Sequence, residues 1–112
     1  MRSPTDGKLL RIFIGEADKL NGKPLYEEIV LLARRNSMAG ATVIKGSMGF
    51  GCKSRMHTSK LLELSTDLPV IIEIVDSEEK INDFLPSLDG MVKEGLVTVE
   101  KANVIMYRAE KK

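Results

Sequence analysis

Leu9-Leu10-Arg11-Ile12-Phe13-Ile14-Gly15 is the stretch from which the fold can be read. Leu10, Ile12 and Ile14 fall on one side of an extended chain and Leu9, Arg11 and Phe13 on the other, so the stretch predicts a strand ending at Gly15. One side suits burial under helices. The other is too apolar to be left to water, yet it carries a charge.

Downstream, Asp18 to Lys23 reads as a turn around Asn21-Gly22, and Pro24 suits the first turn of a helix, where its missing N–H costs nothing. Leu25, Ile29, Leu32 and Ala33 recur at i, i+4, i+7 and i+8 and share one helical face, with Gly40 as the stop. A second strand is expected from Ala41 to about Met48, and a third from Leu68 to Val75 after a polar loop. Asp76 and Glu79 have the spacing of a capping pair. Ile81, Phe84, Leu85, Leu88 and Val92 mark a second amphipathic helix, which Pro86 should kink. Leu96 to Val99 and Asn103 to Tyr107 close the chain as two short strands.

The order strand, helix, strand, strand, helix, strand predicts an α+β domain of ferredoxin-like βαββαβ type, an antiparallel sheet with two helices on one face. The helix-covered face is expected to take Leu10, Ile12, Ile14, Thr42, Ile44, Val70, Ile72 and Ile74. The opposite face would then carry Arg11, Phe13, Val43, Lys45, Ile71 and Glu73. A bare patch of that kind is a liability in a monomer, which predicts self-association through Arg11, Phe13, Lys45, Ile71 and Glu73, with Glu73 paired to Arg11 or Lys45 across strands or subunits; the alternative is that these charges sit at a solvated sheet edge.

Length and composition set the bounds. A chain of 112 residues is the size of one domain with a proper core, taken as residues 1–112 with 1–7 as a flexible N-terminus. Seventeen Lys and Arg against 16 Asp and Glu leave a net charge of +1, so no whole-chain field points to nucleic acid. Any anion site must be local. Cys52 is the only cysteine, which excludes an internal disulfide framework and suits a reducing compartment. Met1 to Lys8 is short and polar, no signal peptide is evident, and the apolar run Leu68 to Val75 falls far short of the ~20 residues of a membrane helix. The expected location is the cytoplasm.

The segment Lys45-Gly46-Ser47-Met48-Gly49-Phe50-Gly51 is the most informative for function. Several glycines at a strand end mean a sharp turn or a backbone that approaches a ligand closely, and N–H groups exposed there form anion-binding nests. Lys53, Arg55, His57 and Lys60 follow at once. The pattern reads either as a phosphate site or as a plain hairpin loop, since it matches neither the P-loop nor the dinucleotide fingerprint. His57 is the only histidine, so clusters needing several His or Cys ligands are hard to assemble. Cys52 lacks an identifiable base and oxyanion site, and no catalytic or metal residue is assigned. Phe50 reads either as a ring that stacks on a base or plugs a neighbouring subunit, or as a local anchor for the turn.

Gly22-Lys23-Pro24-Leu25-Tyr26-Glu27, Gly40-Ala41-Thr42-Val43, Met48-Gly49-Phe50-Gly51, His57-Thr58, and Asp67-Leu68-Pro69 through Glu73-Ile74-Val75-Asp76 together resemble the PII-like family of unknown function, domain-of-unknown-function family 190, within the nitrogen-regulatory PII superfamily. The likeness spans Leu9 to Arg108. It implies a homotrimer whose sheets face inward, adenine nucleotides bound in clefts between subunits, and a mobile loop over residues 51–67. By position, Gly49 and Gly51 match glycines whose backbone lines the cleft, Thr42 lies near a matching threonine, and Arg108 matches a basic residue on the last strand.

Two departures bear on the ligand. Glu94-Gly95-Leu96 lacks the longer Gly/Lys-rich phosphate loop of true PII proteins, and Met106 stands where they typically carry Arg. Fewer phosphates, as in AMP or ADP, are therefore expected. Arg55, His57 and Lys60 are the candidate substitute cations, and the ligand set becomes Thr42, Met48, Gly49, Phe50, Gly51, Arg55, His57, Lys60 and Arg108. The expected function is a non-enzymatic trimeric sensor of an adenine nucleotide or small anion that regulates a partner through its loop, with a membrane transporter as the implied partner. A slow nucleotide phosphohydrolase and a ligand-free scaffold are the alternatives.

Overall fold

The computed structural model describes residues 5–51 and 67–110. Strand β1 (Thr5–Gly15) is followed by a small hairpin of β2 (Lys19–Leu20) and β3 (Lys23–Pro24), then α1 (Leu25–Arg35), β4 (Thr42–Lys45), β5 (Pro69–Asp76), α2 (Glu78–Met91) and β6 (Leu96–Val104). The main sheet has the order β4-β5-β1-β6, and each neighbouring pair is antiparallel. This is the ferredoxin-like α+β arrangement expected from the order of elements.

Local chemistry accounts for the joints. Asn21 and Gly22 take φ of 52° and 79°, the left-handed pair that a two-residue hairpin turn requires. Helix α1 opens with Glu27 and Glu28 and closes with Arg34 and Arg35, each complementing the charge of its helix end. The α2 cap is Ser77, whose Oγ accepts from the Lys80 N–H at 3.2 Å, so the capping pair expected of Asp76 and Glu79 is not formed. Asp76 is instead a buried carboxylate at the end of β5. It accepts from the N–H groups of Ala39 at 2.8 Å and Ser77 at 2.7 Å, which fixes the connection between α1 and β4.

Helix α2 runs through Pro86, which lies on its exposed side, where the carbonyl freed by the missing N–H can reach water. The end of the chain differs more. One continuous strand, β6, replaces the two short ones expected, because β1 begins at Thr5 and offers a full-length partner from Thr5↔Val104 to Phe13↔Leu96. Thr5 to Gly7 accordingly belong to the sheet rather than to a flexible N-terminus.

The core lies between the helices and one face of β1 and β5. Leu10, Ile12, Ile72, Ile74, Ile29 and Ile81 have almost no exposed surface. Burying each contributes about 1.5–3 kcal/mol.

The phase of β4 is opposite to the one expected. Val43 pairs with buried Ile72, whereas Thr42 pairs with Glu73 and Ile44 with Ile71, so Thr42 and Ile44 lie on the helix-free face. Lys45, opposite Val70, has the parity of the helix-covered face and reaches Glu16 and the Tyr26 ring. Val43 on one side and Ile44 on the other leave an aliphatic residue on each face of β4, so alternation does not define its phase; the hydrogen-bonded register with β5 does. Lys45 is therefore no part of the helix-free face. Glu73 pairs with Arg11, at 2.9 Å, and not with Lys45.

The same register puts Ile44, Ile71, Phe13 and Leu96 in one row across all four strands of the open face. A polar row follows, Thr42, Glu73, Arg11 and Thr98.

Candidate functional site

A groove of about 590 Å³ opens at the end of the sheet where β1 stops and β5 and β6 begin. Phe13, Ile14, Phe50, Pro69 and Leu96 give it apolar walls, and its polar lining is Asp18, Asp67 and Glu94.

Pro69 is the pivot on which the glycine-rich turn is built. The Gly46 N–H donates to the Pro69 carbonyl at 2.7 Å. A Cβ at Gly46 would stand 2.7 Å from Pro69 Cγ, and one at Gly49 3.1 Å from it. The turn therefore needs glycine for close approach to a proline ring. It does not need positive φ, which among these residues none adopts. With the backbone wrapped on Pro69, Met48 and Phe50 project outward, 72% and 65% exposed. Spending the Gly46 N–H on Pro69 also removes one donor from the expected anion nest.

The opposite wall is braced by carboxylates. Asp18 Oδ2 accepts from the Gly15 N–H at 2.9 Å, Asp67 Oδ1 from the Ala17 N–H at 2.9 Å, and the Glu16 N–H donates to the Leu68 carbonyl at 2.8 Å. These bonds tie the β1–β2 turn to the entry of β5. A Cβ at Gly15 would lie 2.8 Å from Asp67 Oδ1, so a larger residue there would push that carboxylate aside. Close by, Lys45 Nζ meets Glu16 Oε2 at 2.8 Å and stands 5.3 Å above the Tyr26 ring. The bond to Glu16 raises the Lys45 pKa above its usual value.

Of the expected ligand residues, Gly49, Phe50 and Gly51 line the groove. Met48 lies in the same turn but points to solvent, and Thr42 sits on the open face of β4. Arg55, His57 and Lys60 lie outside the described residues, as does Cys52. Arg108 is exposed at the far end of the sheet. Its neighbour Tyr107 donates from its hydroxyl to the Ala39 carbonyl at 2.6 Å, beside Asp76. Asp76 and Pro69 are the two ends of β5, about 23 Å apart at ~3.3 Å per residue. Arg108 and the glycine turn of one chain are thus not brought together.

Sequence reasoning missed Asp18, Asp67 and Glu94 as groove residues, and it gave Phe13 to the interface alone. The signal for Asp67 was its place before Leu68-Pro69 at a strand entry. That it folds back onto Gly15 is a tertiary contact without a local signature. Arg11, by contrast, stands where expected. Its Nε donates to Glu73 Oε2 and its Nη1 to Glu100 Oε1, and the bond to Glu73 is the main cause raising its pKa above the usual value.

An antiparallel sheet in the order β4-β5-β1-β6 under two helices is a ferredoxin-like fold, and solved structures of PII-like proteins share it. A PII-like signalling protein of Thermus thermophilus gives a TM-score of 0.62 at 18% identity, covering 89% of this chain and 90% of its own. CPII of Thiomonas intermedia, a structure with ADP, AMP and acetate bound, gives 0.57 at 21% identity and 88% of both chains.

Residues 7–104 match the DUF190 family, described as uncharacterized ACR, and the chain belongs to that family. Its relatives include a UPF0166 protein of Aquifex aeolicus, 41% identical over 98 residues, which span 88% of this chain and 92% of that protein. A UPF0166 protein of Methanocaldococcus jannaschii is 39% identical over 104 residues, 92% of this chain and 94% of that one. Among the described residues no helix is long and apolar enough to cross a membrane.

Proposed function

We propose that this protein is a PII-like sensor which assembles through its open sheet face, as a trimer, and binds an adenine nucleotide of the AMP or ADP type in clefts between copies. The observation that carries the reading is the continuity of two features. Phe13 and Leu96 belong both to the apolar row across the open face and to the wall of the groove. Any copy that covers the row also reaches the groove mouth, so assembly and ligand site share a boundary.

Charge distribution supports the same arrangement. The groove has apolar and acceptor surface but no Lys, Arg or His among its described lining residues, so it suits a base and its N–H groups better than a phosphate. Cations for the phosphates come in this scheme from Arg108 of a neighbouring copy and from Arg55, His57 and Lys60, beyond Gly51. CPII has been solved with ADP and AMP, a precedent for nucleotide binding on this fold. Occupancy then biases the segment following Gly51 between states that engage or release a partner, for which a membrane transporter is our candidate; the ligand must prefer one state for any signal to pass.

Thermal denaturation with AMP, ADP, ATP and cyclic nucleotides tests the ligand. AMP or ADP is expected to raise the melting temperature, by mass action on the folded state. A melting temperature unmoved by all of them at millimolar concentration would remove the nucleotide from the scheme.

A further inference from the structure

The groove and the end of the chain are complementary in chemistry and lie at opposite ends of the sheet. On the groove the polar side chains are Asp18, Asp67 and Glu94, all acidic, and Lys45 close by is already held by Glu16. Bonds from the Gly15 and Ala17 N–H groups fix Asp18 and Asp67 in place. Between these carboxylates and the walls made by Phe13, Phe50 and Leu96, the complementary occupant is an apolar side chain with a cation beside it.

The stretch that follows β6 has that composition. Ile105 is 74% exposed and Met106 60%, and Arg108 beside them is exposed and makes no ion pair among the described residues. Tyr107, between Met106 and Arg108, is anchored through its hydroxyl to the Ala39 carbonyl at 2.6 Å. Met106 and Arg108 are therefore offered from a fixed point, which lowers the entropy lost on docking. Met106 is unbranched and polarizable, and suits an irregular groove walled by two phenyl rings. Within one chain the two ends cannot meet, since β5 alone separates them by about 23 Å.

We infer that the groove of one copy receives Met106 and Arg108 of another, with Met106 against the phenyl rings and Arg108 on the carboxylates, and that AMP or ADP enters by displacing Met106 and drawing Arg108 onto its phosphate. This rests on the assembly proposed above and names what fills the groove before a nucleotide does. In a trimer the contact joins different surfaces of two copies, so each copy gives its chain end to one neighbour and its groove to the other, and the series closes as a ring.

Disulfide trapping tests the contact. Phe50→Cys and Met106→Cys are combined in a Cys52→Ser background, with each single cysteine as control and circular dichroism verifying the folds; a bond forms only where the two Cα atoms come within about 7 Å. On oxidation the double variant should give covalent trimers and the single ones none, and AMP or ADP should suppress them. In the natural chain, Arg108→Glu sets like charges against each other and should raise the dissociation constant of the assembly by more than about tenfold in sedimentation velocity, and adding Glu94→Lys should recover most of that loss. A trimer that forms no cross-link and is indifferent to Arg108→Glu overturns the inference and leaves the assembly standing. A chain monomeric at every concentration overturns both. Cross-links that persist under a nucleotide shown to bind by thermal shift overturn the displacement, and cross-links that stop at dimers support the contact but overturn the trimer.

Discussion

Replacing Gly95 by alanine probes the joint between α2 and β6, where three groove residues meet. Gly95 has φ of +152°, outside the range that L side chains adopt comfortably. A Cβ there would stand 2.6 Å from the Phe13 carbonyl oxygen, 3.1 Å from Ile14 Cγ2 and 3.2 Å from Val92 Cγ1. The nearest of these is strand backbone, which cannot swing aside. Backbone strain of about 1–3 kcal/mol adds to overpacking of about 1–3 kcal/mol, and the expected cost is about 2–6 kcal/mol. For a domain of this size that lowers the melting temperature by about 8–24 °C, a large part of a typical total stability of about 5–15 kcal/mol. Gly90→Ala is the matched control: it lies in α2 with nothing within 4 Å of its Cβ, and should gain about 0.5–1 kcal/mol from helix propensity. Thermal melts followed by circular dichroism separate the two. Gly95→Ala melting with the natural protein would refute the geometry at this joint.

Other consequences can be checked alongside. Ile72→Ala empties a fully buried position between Ile12 and Val43 and should cost about 2–5 kcal/mol in urea denaturation with an unchanged m-value. Phe50→Ala removes a ring that is 65% exposed, so stability should hold while the nucleotide-induced shift in melting temperature shrinks. Ile71→Asp places a charge in the middle of the apolar row and should give a folded chain of monomeric mass in light scattering. Because the Lys45 pKa is raised above 10.5 by Glu16, the pair stabilises the fold in full below that pH and loses its effect as pH climbs through the raised value. The melting-temperature gap between the natural protein and Lys45→Met should therefore be constant from pH 7 to 9 and close at higher pH.

The sequence shows the strands of the core clearly because their two faces differ: Leu10, Ile12 and Ile14, like Val70, Ile72 and Ile74, alternate with residues of another kind. β4 does not have that contrast. Val43 and Ile44 put an aliphatic residue on each of its sides, so its phase was legible only once Val43 was paired with Ile72. The position of Ser77, one residue after Asp76, hid the true cap, since Asp76 has Glu79 three residues on and Ser77 has only Lys80, so the capping-box spacing favours the wrong residue. The glycine turn was legible as a place of close approach, but not its reason. What approaches is Pro69, a residue distant in the chain, and nothing local encodes it. Asp18 and Asp67 entered the groove the same way, through bonds to the backbone of Gly15 and Ala17 that composition cannot suggest. Arg11, Phe13, Ile71 and Glu73 lie together on the helix-free face as the alternation along β1 and β5 predicts, and the interface proposed there rests on a simpler rule, that an apolar sheet face without helices needs a cover.

That cover and the ligand can be weighed together. Native mass spectrometry of the full chain, sprayed with and without ADP or AMP, reports subunit number and bound mass in one spectrum. The account gives a species of three 12.4 kDa chains that gains up to one nucleotide mass per chain, while single chains gain none. Single chains as the only species, or single chains that bind the nucleotide as well as the assembly does, would contradict a site built between copies.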